Sequence, residues 1–254
     1  MDDPDIAEFI RYLEGEKDAS EHTIQNYLID IRQFCEKKWG VESKEPFGWH
    51  EVDRYDARAF LIHFQKMDMA PATTSRKLSA LRSFYNFLVR SNRIDKNPFK
   101  GLTSPKKGRA LPKVLSTDEA IRLLEAPIKM INFNDTDTPT RKLWKRYAGN
   151  RDQAILELLY STGMRVNELV MLNESQIDLI GGSAKVRGKG KKERICPLGS
   201  YAIKALRDSM NLREDVSLTY NWKSSKTLPV FLNKQGGALS ARSVERIMKK
   251  YVIA

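Results

Sequence analysis

The stretch from residue 95 to residue 115 constrains the fold of this chain more than any other. It has no hydrophobic periodicity, it contains three prolines, and the basic residues that follow Ser104 have no acid among them. Prolines keep such a segment extended, so it separates two compact parts. Each part of a 254-residue chain is long enough to bury a core without disulfides or metal. We therefore predict a first domain at 1–97, a basic linker at 98–115 and a second domain at 116–254.

The first domain has the apolar spacing of an all-helical unit. Apolar residues recur every three or four positions at about 4–16, between Ser20 and Gly40, at 56–67 and from Pro71 to about residue 91. Ser20 is a good N-cap, and proline is favoured in the first turn of a helix. The sequence predicts four helices.

The fourth predicted helix has a polar face that contains no acid. Its apolar stripe includes Leu78, Leu81 and Tyr85, and the other side carries hydroxyl, amide and guanidinium groups. Such groups reach phosphates and base edges from a helix in a major groove, whereas an ordinary solvated face usually mixes Glu with Lys. The solvated face is the alternative, and we predict DNA contact. The candidate residues are Ser75, Arg76, Lys77, Ser79, Arg82 and Asn86.

The second domain begins with a clear helix start. Ser116 and Glu119 have the spacing of a capping box. Residues 127–150 are polar and then basic, with interleaved aromatics, and are interpreted as a loop insertion. Asn150 then begins a helix that Gly163 ends.

Beyond that helix the hydrophobic period changes. Residues 184–187 and 194–196 flank a glycine-rich, basic tip, which predicts a β-hairpin. A helix at about 200–212, a strand at 228–232 and a helix from Ser240 follow. The pattern predicts a mainly α fold with a small β-sheet or hairpin.

The charge balance favours a polyanionic partner. The chain has 44 basic and 32 acidic residues, a net charge of +12, and Lys106, Lys107 and Arg109 in the linker suit a path along a phosphate backbone. A basic surface that only aids solubility is the alternative. Two distant cysteines, an acidic N-terminus and the lack of a long apolar run predict a cytoplasmic, nucleoid-associated protein with no membrane contact.

Several sequence runs resemble tyrosine recombinases of the Xer type, in the phage-integrase family. Residues 161–169 read Ser-Thr-Gly-Met-Arg-Val-Asn-Glu-Leu, similar to the family's first catalytic box, Thr-Gly-x-Arg-x-x-Glu-Leu. Residues 186–194 contain Gly-Lys-Gly-Lys-Lys-Glu-Arg, similar to its Gly-Lys-Gly-x-Lys-Glu-Arg hairpin. Residues 20–27, 76–85 and 97–98 resemble the Xer core-binding domain. The resemblance covers nearly the whole chain, and the main departure is the segment from Asn132 to Tyr147, between the first two helices of the second domain.

The resemblance implies a fold and an activity. The fold would be a SAM-like helical core-binding domain, followed by an α+β catalytic domain that lacks its C-terminal end. In this family a tyrosine hydroxyl attacks the scissile phosphate, forms a 3'-phosphotyrosyl link and frees a 5'-hydroxyl, and the strand is rejoined to a partner duplex without metal or other cofactor. The process served would be Xer-like chromosome dimer resolution, and thus chromosome partition, or DNA integration.

The resemblance also assigns roles to individual residues. Arg165 matches the arginine that binds the non-bridging oxygens of the phosphate. Lys189 matches the hairpin lysine that protonates the leaving 5'-oxygen. Glu168 would orient Arg165. The hairpin residues expected to contact DNA are Arg187, Lys191 and Lys192.

The family's remaining catalytic residues are not found in these 254 residues. The family continues with a His-x-x-Arg box, a further His or Trp and the nucleophilic Tyr, whereas the histidines here are His22, His50 and His63, none of which begins such a box. Tyr251 lies on an apolar stripe, so we predict core packing for it. We assign no nucleophile, and expect the chain to bind DNA without cleaving it.

The expected partners follow from the resemblance. They are double-stranded DNA with a short paired recombination site and, for the intact enzyme, three further protomers in a tetramer on DNA, with a DNA translocase as a candidate activator. We predict a monomer for this chain in solution. A non-catalytic DNA-binding regulator or architectural factor is the alternative, and RNA binding is disfavoured because no aromatic platform on a sheet is apparent.

Overall fold

A computed structural model describes residues 3–103, 114–188, 192–222 and 228–252. The chain divides into two compact units, Met1–Pro112 and Lys113–Ala254. The described residues are mostly helical with one small sheet, as predicted. None of the helices among them has both the length and the apolar character that crossing a membrane would require.

The first unit contains the four predicted helices. They are α1 (Pro4–Gly15), α2 (Glu21–Trp39), α3 (Arg54–Lys66) and α4 (Pro71–Arg90). The Ser20 hydroxyl accepts a hydrogen bond from the Thr23 amide at 3.3 Å, which confirms the cap of α2. Helix α3 begins two residues earlier than predicted, because Asp53 and Asp56 form a capping box.

Aromatic rings fill the core of the first unit. Phe34 meets Phe60, Tyr85 and Phe99 edge-on, with ring centroids 5.2, 6.3 and 5.4 Å apart. Phe99 is fully buried and Leu102 nearly so. The first residues of the predicted linker therefore belong to this core.

The described residues of the second unit form five α-helices and a sheet. The helices are α5 (Thr117–Lys129), α6 (Pro139–Thr162), α7 (Val166–Val170), α8 (Ser200–Tyr220) and α9 (Ala241–Val252). The capping box of α5 is confirmed, since the Ser116 amide donates to Glu119 at 2.7 Å and the Glu119 amide donates to the Ser116 hydroxyl at 3.3 Å. Gly163, at φ 59°, ends α6 as predicted.

The sheet contains the predicted hairpin and one further strand. Strands β1 (Ile177–Asp178), β2 (Ser183–Arg187) and β3 (Glu193–Pro197) are antiparallel in that order. Ala184 and Val186 point into the core. Strand β1 was not predicted, because two residues are too few to show an alternating pattern.

The predicted loop insertion is wrong in its second half. Helix α6 begins at Pro139, eleven residues before the predicted start, with the Thr138 hydroxyl accepting a hydrogen bond from the Arg141 amide at 3.2 Å. Trp144 and Tyr147 lie on this added part, with ring centroids 5.5 Å apart. Apart from the main core of this unit, Tyr147, Val216 and Leu232 form a second buried apolar cluster, against which Trp144 packs. The burial of Tyr147 in this second cluster supports the longer helix.

Two other boundaries also differ from the prediction. Helix α8 continues eight residues past Leu212, because Val216 is fully buried in the second cluster, against which Tyr220 also packs. The predicted strand at 228–232 forms only isolated bridges, at Pro229 and Leu232.

Tyr251 packs in the core, as predicted. Its side chain is buried, and its hydroxyl donates to Asp152 at 2.9 Å. Burial and the neighbouring Asp152 carboxylate raise the pKa of Tyr251. The hydroxyl therefore ties α9 to α6.

Candidate active site and nucleic-acid interface

Arg165 lies at the sharp turn between two helices. The left-handed Gly163 ends α6, and Arg165 has the extended backbone of an N-cap immediately before α7. Met164 and Leu169 are buried on either side, which fixes the turn. The Arg165 side chain is 75% exposed. The first box thus places its arginine on the surface with a fixed backbone.

Glu168 holds Arg165 through two hydrogen bonds. Its carboxylate accepts from the Arg165 backbone amide at 2.8 Å and from Nη1 of the Arg165 side chain at 3.0 Å. The Glu168 side chain is only 6% exposed, so it lies beneath the exposed guanidinium. The predicted orienting role of Glu168 fits this geometry.

Arg194 on β3 bonds to the same carboxylate. Its Nη1 and Nη2 atoms donate to the two oxygens of Glu168 at 2.9 and 2.7 Å. The Arg194 guanidinium, followed by the amide and side chain of Arg165, lowers the pKa of Glu168 to about 2 against the opposing effect of burial. Glu168 also raises the pKa of Arg194. The carboxylate is thus ionised at neutral pH and binds two arginines.

The root of the β2–β3 hairpin, at Gly188 and Lys192, lies beside the Glu168 carboxylate. The Gly188 amide donates to the Lys192 carbonyl at 2.7 Å and closes the end of the ladder. A Cβ atom on Gly188 would lie 3.3 Å from Arg194 Nη1 and 3.5 Å from Glu168 Oε1, so the backbone here packs against the ion pair. The structure therefore brings Arg165, Glu168, Arg194 and the residue before Lys189 together.

Several predicted contacts lie outside the described residues. Arg187 and Lys192 are described and exposed at the hairpin root. The residues outside are Lys106, Lys107, Arg109, Lys189 and Lys191.

The predicted DNA face of α4 is mostly accessible. Arg76, Ser79 and Asn86 are exposed, and Ser75 is half-buried. Lys77 is the correction: it is 3% exposed, and its ammonium lies 3.0 Å from the buried Asp30 carboxylate. Lys77 therefore belongs to the interior and is removed from the candidate DNA contacts.

Arg82 and Asn86 also have a structural task. Arg82 donates through Nε to the Phe99 carbonyl at 3.1 Å and through Nη2 to the Leu102 carbonyl. Asn86 accepts from the Asn97 side chain at 2.7 Å. These bonds hold residues 97–102 against α4. Part of the hydrogen-bonding capacity of the Arg82 guanidinium is therefore used within the protein.

The described residues do not assemble a metal site. No three His, Cys, Asp or Glu side chains among residues 3–103, 114–188, 192–222 and 228–252 form a group that could hold an ion. Cys35 and Cys196 are buried free thiols, and burial raises the pKa of Cys35.

Both units match known protein families. Residues 114–254 match the phage integrase family, and residues 6–92 match the phage integrase N-terminal SAM-like domain. The chain belongs to the phage integrase family of tyrosine recombinases. Its first unit is accordingly the SAM-like domain and its second the integrase-like catalytic domain.

Curated relatives of this tyrosine recombinase are of the Xer type. The tyrosine recombinase XerC of Syntrophus aciditrophicus is 38% identical over 251 residues, which are 97% of this chain and 76% of that protein. XerC of Bacillus subtilis is 38% identical over 244 residues, covering 96% and 74%.

Solved structures share the fold. The site-specific recombinase XerH bound to a palindromic difH substrate, in a post-cleavage complex, has a TM-score of 0.61 at 21% identity and covers 98% of this chain and 68% of its own. A lambda integrase dimer bound to a COC' core site has a TM-score of 0.62 at 15% identity and covers 98% and 76%. These likenesses support the two-part recombinase fold.

Sequence reasoning missed two residues of these sites. Arg194 is part of the hairpin motif but had no assigned role, although its place in that motif was a usable signal. Asp30, under the polar face of α4, had no such signal, because it lies 46 residues from Arg76 in sequence.

Proposed function

We propose that this recombinase binds duplex DNA at a short recombination site and holds one phosphate at Arg165. The observation that supports it most is the shared carboxylate of Glu168, which fixes Arg165 and lies against the hairpin root. An exposed guanidinium on a fixed backbone, beside a basic hairpin, suits recognition of a phosphodiester.

In the proposed reaction, Arg165 binds non-bridging oxygens and stabilises the charge that develops on them as the tyrosine attacks. Loss of such a donor costs about 3 to 4 kcal/mol of transition-state stabilisation. Lys189 follows Gly188 and would protonate the departing 5'-oxygen. Arg194 is not assigned a contact with DNA; its role is to hold the Glu168 carboxylate in place.

We further propose that these 254 residues bind DNA without forming a covalent link. Its 254 residues contain no His-x-x-Arg sequence, and the Tyr251 hydroxyl is bonded to Asp152 in the core. The test is incubation with a nicked suicide substrate whose binding site has been selected from randomised duplexes, followed by denaturing electrophoresis. We expect a mobility shift under native conditions and no adduct after denaturation. Any covalent adduct after denaturation would refute the proposal, and Tyr251→Phe would then show whether Tyr251 forms it.

We propose action on the nucleoid in chromosome dimer resolution or DNA integration, as a tetramer on paired sites when a tyrosine nucleophile is present, and with a DNA translocase as activator. The chain alone is proposed to be a monomer. A stable dimer by light scattering without DNA would contradict that.

A non-catalytic DNA-binding regulator or architectural factor is the second candidate, favoured by the Tyr251 hydroxyl, which is bonded to Asp152 in the core. Reading the genomic DNA after codon 254 discriminates between them. Continuation into that box and a later Tyr supports the recombinase, and a stop codon supports the regulator.

A further inference from the structure

Asp30 on α2 is a fully buried carboxylate with two cationic partners from α4. Lys77 Nζ lies 3.0 Å from Oδ1, and Arg76 Nη1 bonds to Oδ2. A buried charge is costly unless it is paired, so one partner is required for stability. A second cationic partner is more than the neutralisation of one carboxylate requires.

Lys77 is sufficient to neutralise Asp30. It is almost as deeply buried as Asp30, its ammonium also bonds to Gln33, and it lies 5.2 Å from the centre of the Phe64 ring. Asp30, Lys77 and Phe64 form a buried cluster, and the exposed Gln33 lies at its edge. Arg76 is therefore not needed to neutralise the buried carboxylate.

Arg76 connects this cluster to the surface. Its side chain is 42% exposed although its partner is completely buried. Its neighbours on the outer face of α4 are small, with Ala72 one turn before it and Ser79 one turn after it. The Arg76 guanidinium thus projects beyond these small side chains, and its Nη1 atom is held by the buried Asp30 carboxylate.

We infer that Asp30 is a positioning residue that orients Arg76 to read a guanine edge in the major groove. A flexible cation is enough to bind a phosphate, whereas bidentate reading of a base edge favours a planar guanidinium held in one direction. Guanine offers the O6 and N7 acceptors that match the arginine fork. The ion pair with Asp30 reduces the rotational freedom of Arg76 before DNA arrives. The inference rests on the proposed DNA binding and adds a specificity residue to it.

The test is selection from randomised duplexes, with base preference measured at each position. In wild type we expect one position with a strong preference for guanine that depends on Arg76. Arg76→Ala and Arg76→Lys should lower that preference by about 5- to 150-fold, the range for a bidentate arginine–guanine pair, and leave other positions unchanged. Lysine keeps the charge and loses the fork, so it separates base reading from phosphate binding.

Asp30→Asn should weaken the preference at the same position. Its folding is checked by thermal unfolding; should it fail to fold, the double variant Asp30→Asn, Lys77→Met removes both buried charges and is measured in its place. The matched control is the surface pair of Arg32 and Glu36 on α2, 3.1 Å apart. Arg32→Ala and Glu36→Gln should leave every preference unchanged.

The outcomes are distinct. A wild-type protein that selects a sequence, together with an Arg76→Lys variant that keeps every preference, overturns the inference and leaves the proposed function standing. A folded Asp30 variant with wild-type preferences overturns the positioning role. A wild-type protein that binds no duplex overturns the inference and the proposed function together.

Discussion

Glu168 and Arg194 are joined by two hydrogen bonds, of 2.9 and 2.7 Å, that connect α7 to β3. The same carboxylate holds Arg165, so the position of an exposed arginine at a helix turn depends on a strand of the hairpin. Bidentate arginine–carboxylate pairs are strong and directional. Substitutions in β3 should therefore affect phosphate binding at Arg165 without touching the phosphate.

The pH dependence of the free energy of unfolding should reveal the ion pair between Glu168 and Arg194. The pKa of Glu168 lies at about 2 in the folded protein, below its ordinary value of 4.5. Its contribution to the free energy of unfolding is therefore complete above pH 4.5 and is lost as the pH falls towards 2. We expect Glu168→Gln to be less stable than wild type at pH 7, with the difference shrinking below pH 4.5, as measured by urea unfolding. A difference that stays constant from pH 7 to pH 3 would contradict the pairing, and Glu125→Gln, in an exposed pair, is the control.

Two fully buried tyrosines should respond oppositely to loss of the hydroxyl. Within the described residues the Tyr85 hydroxyl has no hydrogen-bond partner, whereas the Tyr147 hydroxyl accepts from the Leu232 amide at 3.1 Å. We expect Tyr85→Phe to leave stability unchanged or to raise it by up to about 1 kcal/mol, and Tyr147→Phe to lower it by about 1 to 2 kcal/mol. Denaturant unfolding of both variants measures this. A loss of stability in Tyr85→Phe equal to that in Tyr147→Phe would show that the first hydroxyl also has a partner.

Gly163 is required for its backbone conformation. At φ 59° an alanine is strained, and we expect Gly163→Ala to lower stability by about 1 kcal/mol. At Gly15, the last residue of α1, an added Cβ atom would meet nothing within 4 Å beyond its own helix and chain neighbours, and the φ angle there is not positive. Gly15→Ala should therefore be neutral or slightly stabilising, and thermal unfolding compares the two. Equal effects at both sites would show that the turn before Arg165 does not need glycine.

Local signals predicted much of this fold. Caps such as Ser20 and stops such as Gly163 act within one helical turn, so a few neighbouring residues are enough to predict them. The first part of α6 was missed because a polar stretch precedes it and basic residues surround Trp144 and Tyr147. These residues mask the helical spacing of the two aromatic side chains. Tyr147 is fully buried and Trp144 half-buried, and both rings pack against Trp222, far along the chain, so that packing cannot be read from the local pattern.

The candidate sites were predicted only in part, for the same reason. Arg165 and Arg76 were identified from their own surroundings in sequence. Their partners on other elements, Arg194 and Asp30, become visible only when the chain folds. Lys77 was misjudged because a lysine one residue from an exposed arginine points about 100° away around the helix, into the interior.

Salt dependence should report the phosphate contacts of the hairpin root. Each phosphate neutralised on B-DNA releases counterions, so the logarithm of the binding constant falls against the logarithm of salt concentration with a slope of about −0.9 per contact. Arg187 and Lys192 are exposed where the hairpin closes, so Arg187→Ala and Lys192→Ala should each weaken binding and reduce that slope by about 1. Lys129→Ala is the control, because Lys129 is an exposed lysine paired with Glu125 on α5 and should not change the slope. Fluorescence anisotropy between low and moderate salt gives the slopes. An unchanged slope in both hairpin variants would show that the hairpin root does not lie on the phosphate backbone, whatever the overall affinity.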